Sequence, residues 1–207
     1  MTVLLLVRHG QTEANKTGYW QGWADTSLTP EGHRQASAVA RRIERDHALV
    51  AVYTSTLQRA LQTARPIAEA AGCPLLPHDD LRELHFGDIN GLSIAEFRQQ
   101  YPDLFQQWTD KTNLDFAWPG GESRRSFFTR VWRAVDDIVA AHPDGEVVIV
   151  GHGGSLRAAL ARLLPDQFTD WWSYDLHNAG LTIVEFTAQG ATLRALDDCA
   201  HLDGAPT

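Results

Sequence analysis

The chain has 207 residues, 43% of them hydrophobic and 21% charged, with a formal net charge of −8. That balance excludes a disordered chain and fits one globular domain spanning 1–207, and the acidic charge argues against a nucleic-acid partner, which needs a basic face. Two cysteines, Cys73 and Cys199, make neither a disulfide framework nor a CxxC metal site, and no apolar run approaches the ~18 residues of a membrane span, so a soluble cytoplasmic protein without a membrane partner is expected.

The first element is a buried strand, Thr2 to Val7, which stops abruptly at Arg8, His9 and Gly10. Thr29-Pro30-Glu31 opens a helix, with Thr as cap, Pro at the first position and an acid in the first turn. Its apolar stripe is Ala36, Val39, Ala40, Ile43 and His47. Leu49 to Tyr53 is a second strand. Ser55 is then expected to cap a helix that buries Leu57, Ala60, Leu61, Ala64 and Ile67, is kinked or restarted at Pro66, and stops at Gly72. Pro74 to Pro77 is a short third strand. The stretch 86–120 is rich in aromatics, and residues 90–122 read as a small helical insertion, expected as a lid-like subdomain over the strand ends. A long helix over 123–142 and a buried strand over 146–150 follow, and that strand ends at Gly151-His152-Gly153-Gly154. Ser155 to Leu164 is helical. Two strands, 180–186 and 191–196, close as a hairpin around Gln189-Gly190. The order predicts an α/β fold, a doubly wound α/β/α three-layer arrangement on a mostly parallel central sheet.

Polar residues collect at strand ends in this scheme. His9 and Arg8 follow the first strand, and His152 follows the fourth. Arg59 lies in the first turn after the second strand, and Glu83 follows the third. In a doubly wound sheet these ends meet at one crevice. Two arginines, two imidazoles, a carboxylate and free amides at a helix start suit phosphoryl transfer. Arg8 and Arg59 can clamp phosphate oxygens. Gly153 and Gly154 open a helix whose N–H groups favour an anion. His9 can attack, His152 can offset charge, and Glu83 can give a proton to the leaving oxygen. No P-loop, dinucleotide fingerprint or nucleophile elbow is present. His78-Asp79-Asp80 reads as a solvated acidic turn. His85 and His177 are the other histidines expected near the pocket.

Taken together these blocks resemble the histidine phosphatase, or phosphoglycerate mutase-like, superfamily. Residues 8–15 (Arg-His-Gly-Gln-Thr-Glu-Ala-Asn), 25–36, 55–64, 81–87, 119–123 and 151–153 carry the resemblance nearly end to end. It implies a phosphohistidine on His9, Glu83 as proton donor, a phosphate pocket of Arg8, Asn15, Arg59 and His152 with main-chain help near Gly153, and substrate contacts from Gln21 and Gly22. It implies no metal and no cofactor. Within the family the chain is similar to small bacterial phosphatases, the α-ribazole-5′-phosphate type included, although Asp88-Ile89-Asn90-Gly91 departs from the usual aromatic-then-acid pattern.

The expected ligand is a small phosphorylated metabolite. A mutase needs cations in its insertion, and here 90–122 holds only Arg98 and Lys111 against five acids. Hydrolysis is therefore expected rather than isomerisation, with a phosphoglycerate mutase and a non-catalytic ligand-binding module as the alternatives. Intact Arg8, His9, Arg59, Glu83 and His152 speak against the module. The aromatic, cation-poor insertion predicts that Trp108, Phe116 or Trp118 contacts the leaving group. No sequence feature sets an oligomeric state.

Overall fold

A computed structural model describes residues 1–165, 170–187 and 190–202. Among them six strands form one sheet in the order β3-β2-β4-β1-β5-β6. The strands are β1 (Thr2–Arg8), β2 (Leu49–Ser55), β3 (Leu75–His78), β4 (Gly145–Gly151), β5 (Leu181–Thr187) and β6 (Gly190–Asp198). β1, β2, β3 and β4 run parallel, whereas β5 is antiparallel to β1 and β6 to β5. The sheet is thus mixed but mostly parallel. Gln189 of the expected hairpin turn lies outside the described residues.

The period of two along the central strands assigns their side chains to two cores. Leu4, Leu6, Val147 and Ile149 face α6 (Arg124–Ala141) and α7 (Gly153–Leu163), packing with Phe127, Val131, Val135, Leu156 and Leu160. Val3, Leu5, Val7, Val148 and Val150 face α2 (Pro30–Asp46) and α3 (Gln58–Ala71), packing with Val39, Ile43, Ala60, Ala64 and Ile67. Full burial of each such side chain is worth roughly 1.5–3 kcal/mol, which is why near-continuous apolar runs become interior strands.

Four local expectations change. Pro66 sits inside one continuous α3 and does not divide it. Ser55 is the last residue of β2, and Leu57 occupies the cap position of α3 without a side-chain cap bond. His47 lies beyond the last turn of α2 as its C-cap. The loop after β1 holds an unanticipated helix, α1 (Glu13–Thr17), closed by a reciprocal box between Thr12 and Asn15.

The aromatic stretch forms α4 (Ile94–Gln100), α5 (Pro102–Thr109) and connecting loops. Trp20 is the hub of its core, with its ring centroid 5.0–5.4 Å from those of Phe86, Phe97, Trp108 and Trp118.

Candidate active site

β1 and β4 are neighbours in the sheet, with Arg8 opposite Gly151, so the chain leaves both strands at the same level. His9 N–H donates to Gly151 O at 3.0 Å. The rings of His9 and His152 then lie with centroids 5.1 Å apart. His9 Nδ1 is 2.8 Å from Gly10 O. A carbonyl only accepts, so Nδ1 carries the proton and Nε2 keeps its lone pair. Gly10 is required for this turn, because a Cβ there would meet Gly32 O at 2.5 Å. Burial, then the charges of Arg59 and Arg8, hold His9 well below the usual imidazole range, so the ring is neutral.

His152 is fully buried. Its Nδ1 accepts from Arg59 Nε at 3.2 Å, and its Nε2 lies 2.8 Å from Ser55 Oγ. Burial, then Arg59, keeps it neutral as well. Both ring nitrogens are therefore used inside the protein, and His152 stands behind His9 and Arg59 rather than on the cavity wall. Ser55, expected as a helix cap, sets its hydroxyl against this imidazole and also accepts from Leu57 N at 3.3 Å, just ahead of α3.

The two arginines differ. Arg59 has each of its nitrogens bonded within the protein, Nη1 donating to Ala24 O at 2.8 Å and Nη2 to Gly22 O at 2.7 Å besides the bond to His152, which uses three of its five N–H groups while the residue still borders the cavity. Burial lowers its pKa to about 10, against the opposing pull of Glu83. Arg8 donates through Nη1 to Leu176 O, while its Nε is buried without a partner. A buried unpaired donor on a cation is costly unless a ligand satisfies it, so the group is poised for an anion.

Glu83 faces the start of α7. Its Oε2 accepts from Gly154 N at 3.0 Å and its Oε1 from Leu84 N at 2.9 Å. A Cβ on Gly154 would meet Glu83 Oε1 at 2.3 Å, so glycine is what lets the carboxyl approach the helix. Asn15 uses Oδ1 to accept from Thr12 N and from Asn178 Nδ2, and the residue borders the cavity. Gln21 accepts the hydroxyl of Thr26, and Gly22 holds Arg59 through its carbonyl. These groups, with Arg8, His9, Arg59, Glu83, Gly153 and Gly154, line one cavity of about 300 Å³.

Phe86 of the aromatic stretch also lines the cavity, with Leu84 and Phe127, but other lining residues were missed from sequence. Tyr19 and Trp20 arrive from the loop after α1, Arg157 from α7, and Trp171, Trp172 and Asp175 from the loop before β5. Arg157 had a legible signal, since it lies one helical turn after Gly153 and so shares its face. The loop residues had none. Conversely, Trp108, Phe116 and Trp118 do not line the cavity. They are buried in the core around Trp20, because large apolar rings are worth more there than at a wet rim. Residues 90–122 supply no lining residue, and Asn90 and Gly91 meet the Trp20–Gly22 loop instead. His85 packs on Trp23 at 4.5 Å, and His177 is an exposed ring paired with Asp197, so neither borders the cavity. Asp79 and Asp80 pair with Arg82 and Arg133. Among the described residues, His177, Asp197 and Cys199 form the one group with metal-capable atoms drawn together, and it lies outside the cavity.

A family model described as "Histidine phosphatase superfamily (branch 1)" matches residues 4–199. Phosphoserine phosphatase 1 of Hydrogenobacter thermophilus is 31% identical over 203 residues, covering 98% of this chain and 95% of the relative. The metal-independent phosphoserine phosphatase of Arabidopsis thaliana is 34% identical over 204 residues, covering 98% and 84%. The crystal structure of the alpha-ribazole phosphatase from Shigella flexneri superposes with a TM-score of 0.83 at 28% identity, over 95% of this chain and 96% of that one.

Proposed function

The chain belongs to the histidine phosphatase superfamily, branch 1, is a phosphatase, and on that footing we propose that it hydrolyses a small phosphomonoester through a phosphohistidine on His9. The observation that carries this is the fixed tautomer of His9. With Nδ1–H held by Gly10 O, the lone pair sits on Nε2 of a neutral ring. In the first half-reaction Nε2 bonds to phosphorus while the bond from phosphorus to the ester oxygen breaks, and Glu83 passes a proton to that departing oxygen. In the second, water attacks phosphorus, Glu83 takes its proton, and the N–P bond breaks to free phosphate. Arg8, Arg59, Asn15 and the amides at Gly153 hold the phosphoryl oxygens, with the orphan Arg8 Nε gaining its acceptor. His152 acts at one remove, holding Arg59 and the turn beside His9.

The alcohol that leaves faces Arg157, Asp175 and the indoles of Trp20, Trp171 and Trp172. Arg157 donates through Nε to Tyr174 O, which leaves its outer fork for a ligand. That fork matches a carboxylate, so a carboxylate-bearing ester such as phosphoserine is the favoured substrate. The indole wall supports α-ribazole-5′-phosphate as a second reading. Phosphoglycerate mutase activity draws no support from the insertion: Lys111 sits on the rings of Trp108 and Trp172, and Arg98 on Phe105. A metal-free cytoplasmic enzyme of one domain, with 90–122 as an insertion packed beside the site, completes the reading. No helix among the described residues is long and apolar enough to cross a membrane.

The test is a chelator-treated assay of phosphoserine, α-ribazole-5′-phosphate and 3-phosphoglycerate, following phosphate release and isomer formation, with acid-stable and acid-labile phosphate on the protein measured after quenching. Phosphate release with acid-labile label lost in His9→Ala is expected. Isomer formation without release, or a strict need for added divalent metal, would overturn the proposal.

A further inference from the structure

We propose that Arg130, which does not line the cavity, is the positioning residue that fixes Glu83 for proton delivery. The inference rests on the reading of Glu83 as the proton donor and concerns what holds it.

After β3 the backbone from 82 to 86 enters neither helix nor strand, so its carbonyls lack the partners a ladder would supply. Arg130, on α6, supplies them. Its Nη1 donates to Asp80 O and to Arg82 O, both at 2.8 Å, and its Nη2 to Glu83 O at 2.8 Å. The same guanidinium grips Glu122, with Nη2 to Oε1 at 2.6 Å and Nε to Oε2 at 3.0 Å. Glu122 in turn accepts from His85 N at 2.8 Å, and its own N–H donates to His85 O at 3.0 Å. The segment is thereby pinned before Glu83, at Glu83 and after it. Trp23 Nε1 adds a bond to Glu83 O at 2.7 Å.

Both charged side chains of the pair are largely shielded, with 13% and 14% of their surface exposed. A planar fork suits this task. It presents donors in fixed directions to three carbonyls and a carboxylate at once, which a lysine ammonium cannot reproduce. The carboxyl of Glu83 is held separately, by Gly154 N and Leu84 N. Arg130 therefore sets where the Glu83 backbone sits, while α7 sets where its carboxyl points. Proton transfer needs hydrogen-bond reach, and a displacement of about 1 Å costs up to a hundredfold in rate.

The experiment is a double-mutant cycle of Arg130→Lys and Glu83→Gln, assayed on β-glycerol phosphate, a poor leaving group, and p-nitrophenyl phosphate, a good one, with melting curves for every protein. Arg130→Lys should slow glycerol phosphate about tenfold to a hundredfold and p-nitrophenyl phosphate less than about threefold. In the Glu83→Gln background it should add no further ester-selective loss, because there is no proton left to position. Equal slowing of both esters, additive losses, or no loss at all would overturn the inference. If Glu83→Gln itself fails to discriminate between the esters, the proton-donor reading falls and this inference falls with it. If it discriminates and Arg130→Lys does not, only the positioning role fails. Should Arg130→Lys not fold, Glu122→Gln keeps the shape and removes the partner charge, and must give the same ester-selective pattern.

Discussion

The floor and the wall of the cavity are built on different principles. The floor consists of Arg8, His9, Arg59, Glu83 and the start of α7. His9 and Arg59 are buried, only 3% and 1% exposed, Arg8 and Glu83 are half-buried, and these groups are held by backbone bonds and by glycines that admit no Cβ. The wall consists of Tyr19, Trp20, Arg157, Trp171, Trp172 and Asp175. It is carried mostly by loops, and Asp175 is exposed. A floor set by sheet register can orient one phosphoryl group and little else, whereas a wall of loop side chains can change without disturbing the sheet. Under the proposed reaction the chemistry would belong to the floor and the choice of ester to the wall.

The sharpest way to break that division is to remove the proposed nucleophile. His9→Ala should lower turnover of every ester by at least about a thousandfold, with the melting temperature kept. Stopped-time phosphate assays on two esters check both halves. A loss confined to one ester would mean that the floor also selects substrate.

Next in size is a change behind the wall. Trp108→Ala empties a buried site in the core around Trp20 and should cost about 3–5 kcal/mol of stability, as large core deletions do. Denaturant unfolding reads the loss. Because Trp108 does not line the cavity, any fall in kcat/KM at temperatures where the variant is folded should be alike for bulky and small esters. A selective loss for bulky aromatic esters would restore a direct contact.

Arg157→Ala tests the wall itself. A charged hydrogen bond is worth about 1.5–3 kcal/mol, so KM for a carboxylate-bearing ester should rise about tenfold to a hundredfold. Hydrolysis of p-nitrophenyl phosphate should scarcely change. Equal effects on both would assign Arg157 to the phosphate floor.

A further test of the floor is pH. Burial and the neighbouring arginines keep His9 and His152 well below the ordinary imidazole value of 6.5. Unfolded imidazoles titrate near that ordinary value. As pH falls below 6.5 the unfolded chain binds protons that the folded one refuses, so stability is full above this point and declines below it. The slope is about 1.4 kcal/mol per pH unit for each ring kept neutral. Melting curves from pH 7.5 to 5 check it, and kcat/KM should show no inflection at 6.5 from His9. A melting temperature flat across that window would contradict the buried neutral pair.

Much of the floor was legible because periodicity and adjacency encode it. An apolar run that ends in Arg8-His9-Gly10, and another that ends in Gly151-His152-Gly153, name their chemistry by where the strand stops. Ser55 was misread because a serine before a helix looks like a cap. Only the fold brings His152 Nε2 to within 2.8 Å of its hydroxyl. Pro66 looked like a break, yet α3 runs through it, since packing of Ala60, Ala64 and Ile67 outweighs one lost backbone bond.

The sequence by itself determined the buried central strands, the cap at Thr29, and the presence of two histidines and two arginines at strand ends, because these follow from local pattern and from the helical period of 3.6 residues. It did not determine which aromatics meet the ligand. Trp20, Trp108 and Trp118 are alike in composition and all sit in one core, yet only Trp20 reaches the cavity. Nor did it reveal that Arg130 and Trp23 converge on the backbone of Glu83, and Glu122 on that of His85, from separate parts of the chain. Tertiary structure decided these, because contacts between residues far apart in the chain depend on how layers pack and loops close, and no local pattern records that distance.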